Sequence, residues 1–220
     1  MQYLEETQKC SLAHISHLLP YHTGKYMLLD RNTRRNLELV ETLREKQKRG
    51  SLLWVLDKTK TAMGGRLLRN YIEQPLIDKE EMEKRLDAIQ ELNQDSISRD
   101  EIREYLNPIY DLERLLSKVT YKTANPRDLI AFRNSLQMLP PIKTVLSAFE
   151  KEELTKIREQ IDGLEDIYQL IDEAIIDEPP LSIREGGMIK DQFDETIDRL
   201  RSAKHDGKQW LAQLEEEDRE

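Results

Sequence analysis

The sequence predicts an all-α fold, an irregular multi-helix bundle with one long projecting helix at its C-terminal end. Apolar residues recur at intervals of three and four along most of the 220 residues, which is the spacing of one helix face. Residues that cap helix N-termini precede many of these runs. The chain is 35% charged but only 6% aromatic, a composition typical of helices with solvated outer faces.

The first 25 residues contain one helical pattern, from Leu4 to Leu19, which breakers at Pro20 and Gly24 end. Four possible metal ligands lie in or after this pattern: Cys10, His14, His17 and His22. Structural zinc sites use pairs of closely spaced ligands, and no matching second pair follows. We therefore expect ordinary half-buried imidazoles here and no metal site.

The single cysteine, Cys10, cannot form an internal disulfide, which fits a reducing compartment. No apolar run approaches the ~20 residues of a membrane-spanning helix, and no basic and apolar leader follows Met1. These features predict a cytoplasmic protein.

Residues 26–77 have the clearest helix punctuation. Asp30 is expected to cap a helix with Leu37, Val40 and Leu43 on one face, and Gly50 is expected to end it. The pattern predicts one helix of about five turns.

Two further helices follow in the same stretch. Ser51 can cap a short apolar helix, 52–56, and Thr61 can cap another that ends before Pro75. The buried side of the second is expected to consist of Leu67, Leu68, Tyr71 and Ile72. Paired glycines at Gly64 and Gly65 suggest that a neighbouring backbone approaches closely, the alternative being a ragged first turn.

Capping signals begin three of the later helices. They are Asp78 with Glu81, Ser98 with Glu101, and Asn125 with Pro126. The first of these helices is expected to bury Met82, Leu86, Ile89 and Leu92. Pro140 and Pro141 are expected to break the chain before the last helices of the bundle.

The C-terminal part predicts at most one β-hairpin, near 181–190, around Gly186 and Gly187. Residues 188–220 then predict one long helix with an apolar stripe of Trp210, Leu211 and Leu214. We expect two domains, a helical core over 1–187 and this ascending helix over 188–220. The stripe is expected to fray or to pair with the same stripe of a second copy.

The net charge of −9 is unevenly distributed. Residues 25–69 contain twelve basic and five acidic side chains, so the rest of the chain carries a net −16. The candidates for a DNA-binding face in this stretch are Arg31, Arg34, Arg35 and Arg44. The alternative is a solvated helix face whose arginines meet carboxylates of this chain or of a missing partner, because no aromatic platform for base stacking interleaves them.

Catalytic chemistry is not indicated by any motif. No stretch matches the Gly-x-x-x-x-Gly-Lys-Ser/Thr phosphate loop, since neither Gly64-Gly65-Arg66 nor Gly186-Gly187 has its spacing or its ending. We expect no catalytic residue, nucleotide site or cofactor in this chain, and no enzyme activity.

Three blocks of residues resemble the start of the core (lever) domain of the MutS family. The first block is Arg35-Asn36-Leu37-Glu38-Leu39, the second is Gly50-Ser51-Leu52-Leu53 with Leu56-Asp57, and the third is Thr61-Ala62-Met63-Gly64 with Arg66-Leu67-Leu68 and Pro75-Leu76. Their order and spacing make the resemblance specific, and the first block is typical of the mismatch-recognising branch.

The resemblance implies that the chain is part of a longer DNA mismatch-repair protein. Such a parent has a mismatch-binding and a connector domain upstream, and a DNA clamp, a returning lever helix and a dimerising ATPase that uses ATP and Mg downstream. Its partners would be mismatched double-stranded DNA and repair proteins, and it would be a homodimer. The chain itself would couple DNA binding to the distant ATPase.

A competing interpretation is a freestanding helical interaction scaffold whose acidic face binds a basic partner. The MutS wedge, Phe-x-Glu, is absent in either case, because its one spacing match, Phe193 with Glu195, falls on a predicted helix where i and i+2 side chains diverge.

Overall fold

The computed structural model of the chain describes residue 7, residues 23–180, residues 183–204 and residue 207. These residues form helices without any strand of a sheet, which confirms the all-α prediction. The helices are α1 Arg31–Asn36, α2 Leu52–Leu56, α3 Ala62–Glu73, α4 Lys79–Gln94, α5 Ser96–Leu106, α6 Leu112–Thr120, α7 Pro126–Leu136, α8 Leu139–Leu146, α9 Glu152–Gln160, α10 Glu165–Ala174 and α11 195–204. None of the described helices is both long and apolar enough to cross a membrane.

The chain divides into two compact units. The first comprises Met1–Ala124 and Asn134–Gly163, and the second comprises Asn125–Arg133 and Leu164–Glu220. The assignment of 1–187 to a core domain and 188–220 to a lever helix stays a prediction.

Four helices build the core of the first unit. Helix α5 packs against α8, α4 packs against both α5 and α9, and α8 packs against α9. The buried cluster between them consists of Ala88, Ile109, Ile142, Leu146, Phe149 and Leu154. Fourteen hydrophobic side chains of the described residues are this well buried, so the cluster is a large part of the apolar core.

Polar contacts fix α4 against α9 at the edge of this core. The Lys84 ammonium lies 3.0 Å from the Glu152 carboxylate, and the Lys151 ammonium lies 3.2 Å from Asp87. The Glu91 carboxylate accepts hydrogen bonds of 3.0 Å from the backbone N–H groups of residues 150 and 151. These contacts satisfy backbone donors just before α9, where no earlier turn can accept from them.

Local capping predictions are confirmed at several helix starts. The Ser51 hydroxyl accepts from the N–H of Trp54 at 3.2 Å, and the Thr61 hydroxyl accepts from Gly64 at 3.0 Å. The Asn125 side chain accepts from Asp128 at 2.8 Å, while the Asp128 carboxylate accepts from the Asn125 N–H at 3.0 Å. Asp78 also caps α4, through the N–H of residue 80.

The prediction of one long helix after Asp30 is wrong. Asp30 does cap a helix, accepting from the N–H of Thr33 at 2.6 Å, but α1 has only six residues. Glu38 then takes a left-handed conformation with φ of 48°, which a continuous α-helix cannot include. The carbonyls of Glu38 and Leu39 accept from Leu52 and Leu53 instead, so pairing with the start of α2 replaces further helical bonds.

The prediction of which face of α4 points into the core is also wrong. Met82, Leu86 and Ile89 are 38%, 62% and 61% exposed, whereas Ala88 is buried. The reason is tertiary, because the bonds from Lys84, Asp87 and Glu91 to the α9 region turn the neighbouring stripe inward. Leu92 does pack against the core, as predicted.

Helix α3 buries less than its pattern predicts. Leu67 and Tyr71 are about half exposed, at 50% and 41%, and Leu68 and Ile72 are half-buried. The Arg85 guanidinium covers the Tyr71 ring at 3.9 Å from its centroid.

The tight approach predicted at Gly64 comes from side chains and not from backbone. A Cβ there would lie 3.1 Å from the Thr61 hydroxyl and 3.4 Å from Thr59 Cβ. Gly65 similarly faces the Thr59 hydroxyl, at 3.4 Å. Both glycines lie in a regular first turn of α3, so the alternative of a ragged turn is also wrong.

Two other helix starts differ from prediction. Helix α5 begins three residues early, because Asp95 and not Ser98 caps it and accepts from the Ser98 N–H at 3.1 Å. Pro140 and Pro141 do not break the chain, because they lie in the first turn of α8, where the N–H that proline lacks has no helical partner.

The segment after α10 is not a hairpin in its described part. Ile183–Glu185 form a 3-10 turn, and Gly186 and Gly187 have φ of 72° and 73°. Ile189 forms an antiparallel bridge with Ile175 instead of pairing across the glycines.

The last described helix begins at residue 195, not at Met188. The Asp194 carboxylate caps it by accepting from the N–H groups of Thr196 and Ile197, at 2.8 and 3.0 Å. The apolar stripe of Trp210, Leu211 and Leu214 lies outside the described residues.

Candidate anion-binding surface

A folded loop, residues 37–50, brings the basic part of the sequence together. Leu39 is 8% exposed and anchors the loop, and its carbonyl accepts from the Leu53 N–H at 2.8 Å. The Glu38 carboxylate accepts from the Leu43 N–H at 2.6 Å. The left-handed conformation of Lys46, with φ of 50°, reverses the chain, so that the Gln47 carbonyl accepts from the Thr42 N–H at 3.0 Å.

This loop, α1 and the end of α3 enclose a cavity of about 740 Å³, which we call the basic cavity. Its lining consists of Leu29, Arg31, Asn32, Arg34, Arg35, Val40, Glu41, Lys46 and Glu73. The three arginines share a face because they are three and four residues apart on one helix. Four cations thus face two carboxylates around one cavity.

The cations of the basic cavity have no carboxylate partner in the part of the chain that the structure describes. Among the described residues, no acidic side chain lies within 4.0 Å of Arg31, Arg35 or Lys46. Arg34 is half-buried, and its Nε–H donates to the Leu29 carbonyl at 3.0 Å. The Glu73 carboxylate is paired with Arg69 at 3.1 Å, which offsets its charge. The cavity is therefore electropositive.

Three of the four predicted DNA-binding candidates meet at this cavity, and the fourth does not. Arg44 does not line it and lies in a separate concavity with Glu38 and Glu45. Lys46 was not singled out from the sequence, although it belongs to the same basic stretch. Whether any of these residues binds DNA stays a prediction.

A second charged cluster joins α3 to the start of α6. The Arg66 guanidinium donates to both oxygens of Asp111, at 2.6 and 2.8 Å, and also to Glu113. These bonds lower the pKa of the Asp111 carboxyl below its ordinary value and raise that of Arg66. Asp111 is also the cap of α6, so Arg66 connects two helices through a fixed fork.

A third cluster holds the loop between α2 and α3. Asp57 is paired with Lys48 and accepts from the Thr59 hydroxyl at 2.6 Å. The hydrogen bond from Lys48, followed by that from Thr59, lowers the pKa of Asp57 to about 2. The same Thr59 packs on Gly64, so the cluster positions the start of α3.

Other residues of the three family blocks lie at a helix end, in the core or in backbone pairing. Asn36 ends α1, Leu37 is exposed, and Leu39 is the buried anchor of the loop. The Pro75 carbonyl accepts from the Met27 N–H at 2.8 Å, beside the bridge between Tyr26 and Leu76.

A separate apolar groove of about 480 Å³ opens between α5, α8 and α9. Its walls include Ile102, Leu106, Leu139 and Ile157, and Arg103 lies at its rim. Aliphatic walls of this kind suit aliphatic side chains and not a charged ligand.

Metal coordination has no candidate in the part of the chain that the structure describes, where no three His, Cys, Asp or Glu residues converge. The cysteine and histidines weighed as ligands, Cys10, His14, His17 and His22, lie outside those residues.

Comparisons with known proteins agree on one family. The model of the family described as MutS domain III matches residues 32–219. The DNA mismatch repair protein MutS of Lachnoclostridium phytofermentans is 60% identical over 220 residues, which are all of this chain and 24% of the relative. The proteins of the same name from Ruminiclostridium cellulolyticum and Acetivibrio thermocellus are 53% and 50% identical, again over the whole chain and 25% of their lengths. The chain spans about a quarter of these curated relatives.

Proposed function

This chain belongs to the MutS family, and we propose that it is a core (lever) segment that couples DNA binding to a distant ATPase domain of a longer mismatch-repair protein. In that protein, mismatched duplex DNA and repair proteins would be the partners, and ATP with Mg would act in another domain. The whole protein would be a homodimer.

The proposal rests on one observation: pairs of hydrogen bonds connect helices that are separate in the sequence. Arg66 joins α3 to the cap of α6 with two parallel hydrogen bonds, and Glu91 joins α4 to the start of α9 with two more. Such fixed contacts transmit a displacement of one helix to its neighbour, because packed interiors have few intermediate arrangements.

A chimera tests the coupling directly. The corresponding segment of the Lachnoclostridium phytofermentans relative is replaced by this chain, and ATP hydrolysis is measured with mismatched duplex, with matched duplex and without DNA. The perturbation is Arg66→Ala. We expect the ratio between the mismatched and DNA-free rates to move towards one, since coupling of this kind is typically worth roughly 1–3 kcal/mol.

Lys79→Ala is the control, because Lys79 is exposed, lies outside the basic cavity and pairs with Glu83 one turn later on α4. It should leave the ratio unchanged. Loss of the DNA-free rate in the Arg66 variant would indicate damage to folding, and an unchanged ratio would contradict the proposed role of the contact.

A further inference from the structure

We propose that the basic cavity is a binding site for phosphate groups, and that it recognises them by charge and not by base identity. The inference rests on the cavity alone. It does not depend on the coupling role proposed above.

The arrangement of the arginines matches the geometry of phosphate. Arg31, Arg34 and Arg35 project from one short helix into a single cavity of about 740 Å³. A guanidinium presents a planar fork of donors, and phosphate has enough oxygens to accept from several forks at once. A single planar carboxylate has fewer oxygens to offer, so three convergent forks favour phosphate.

The site is partly preorganised. The Nε–H of Arg34 is fixed by the Leu29 carbonyl at 3.0 Å, which leaves the two terminal nitrogens of its guanidinium for a ligand. Arg34 is half-buried, so less water competes for those donors than at a fully exposed arginine. Lys46, on the loop, also lines the cavity and adds a fourth cation.

Carboxylates of the described residues do not neutralise the positive charge of the cavity. Glu73 is engaged by Arg69, and Glu41 is the other carboxylate of the lining. No described acidic side chain pairs with Arg31, Arg35 or Lys46. Within the described residues, Arg31 and Arg35 thus do not pair with carboxylates of the same chain, which was one half of the alternative weighed from the sequence.

The lining contains no aromatic side chain on which a base could stack. Recognition through phosphate alone is independent of sequence and strongly dependent on salt. Two sources of phosphate fit this chemistry: the backbone of duplex DNA and the phosphate tail of a free nucleoside triphosphate.

The test uses the full 220-residue chain and three probes. Fluorescence anisotropy measures binding of a labelled matched duplex of about 20 base pairs over a series of salt concentrations. Titration calorimetry measures binding of inorganic tripolyphosphate, and polyglutamate serves as a carboxylate probe. The variant is Arg31→Ala with Arg35→Ala, and both side chains are exposed, so folding should be unaffected.

We expect this double variant to bind a phosphate probe at least about tenfold more weakly at low salt, since one charged hydrogen bond is worth roughly 1.5–3 kcal/mol. The slope of log affinity against log salt for the duplex should fall by about two, one for each phosphate contact removed. If the double variant loses affinity for the duplex but not for tripolyphosphate, the site binds nucleic-acid backbone. Loss with tripolyphosphate only assigns it to a free phosphate tail, and loss with both supports either source.

Arg44→Ala is the matched control, because Arg44 belongs to the same basic stretch but lies outside the cavity. It should change each affinity by less than about twofold, as a solvated charge away from the contact does. The proposal is overturned if neither phosphate probe binds, if the double variant binds them like the wild type, or if the Arg44 variant loses as much. Arginine-dependent binding of polyglutamate without binding of phosphate would also overturn it.

Discussion

Phe149 provides the sharpest test of the core of the first unit. Its side chain is 3% exposed and packs in the cluster with Leu146 and Leu154. Phe149→Ala removes a benzene ring and leaves a cavity on the order of 100 Å³, which costs ~2.4 kcal/mol at ~24 cal/mol per Å³. Adding the lost transfer energy of the ring gives an expected total of about 3–5 kcal/mol.

The assay is urea unfolding followed by far-ultraviolet circular dichroism, and the quantity compared is the free energy of unfolding of the transition that includes the first unit. Tyr121→Ala is the control, because Tyr121 lies in the first unit and is 72% exposed. It should cost less than about 1 kcal/mol. Equal small losses for both variants would refute the packing described for α4, α5, α8 and α9.

Two further outcomes follow from the contacts of α3 and the loop before it. Leu68→Ala should cost less than the 2–5 kcal/mol typical of a fully buried leucine, because Leu68 is half-buried; a loss of ~4 kcal/mol in urea would contradict this position. Asp57→Asn should lower the stability of the chain at pH 7. The folded pKa of Asp57, about 2, is below its ordinary value of 3.8, so the carboxylate stabilises the fold above pH 3.8 and this stabilisation is lost as the pH falls towards 2. Thermal melts should therefore show the difference from wild type shrinking over that interval, and a constant difference would exclude the ionised pair as its cause.

The helix starts were predictable because a cap depends on residues only three positions apart. Ser51, Thr61 and Asn125 all accept hydrogen bonds where the sequence predicts them. At α5 the predicted cap, Ser98, lies three residues after Asp95, which is the residue that forms the bond. Local chemistry thus identifies a helix start within about one turn.

Helix faces and helix lengths were less predictable because they depend on distant residues. The helix after Asp30 ends early since Glu38 and Leu39 bond to α2, and no spacing within 30–50 carries that information. The face of α4 that points inward depends on partners about sixty residues away. Apolar periodicity alone favoured the wrong one.

The candidate site was predictable in charge but not in geometry. The sequence places an excess of basic residues in 25–69, and three of the four arginines named from it do line one cavity. Arg44 lies outside the cavity and Lys46 lines it because of the way the loop turns. The sequence alone does not show that turn.

The most direct test of the central claim is the effect of ATP on the affinity of the chimeric protein for mismatched duplex. Coupling between binding equilibria is reciprocal, so if DNA changes the affinity of the ATPase domain for ATP through this segment, ATP must change DNA affinity by the same factor. We predict that Arg66→Ala leaves the affinity measured without ATP within about twofold of the parent chimera, while the ratio of affinities with and without ATP moves towards one. A ratio that stays at the value of the parent chimera and of the Lys79→Ala control would contradict the claim that these helices carry the coupling.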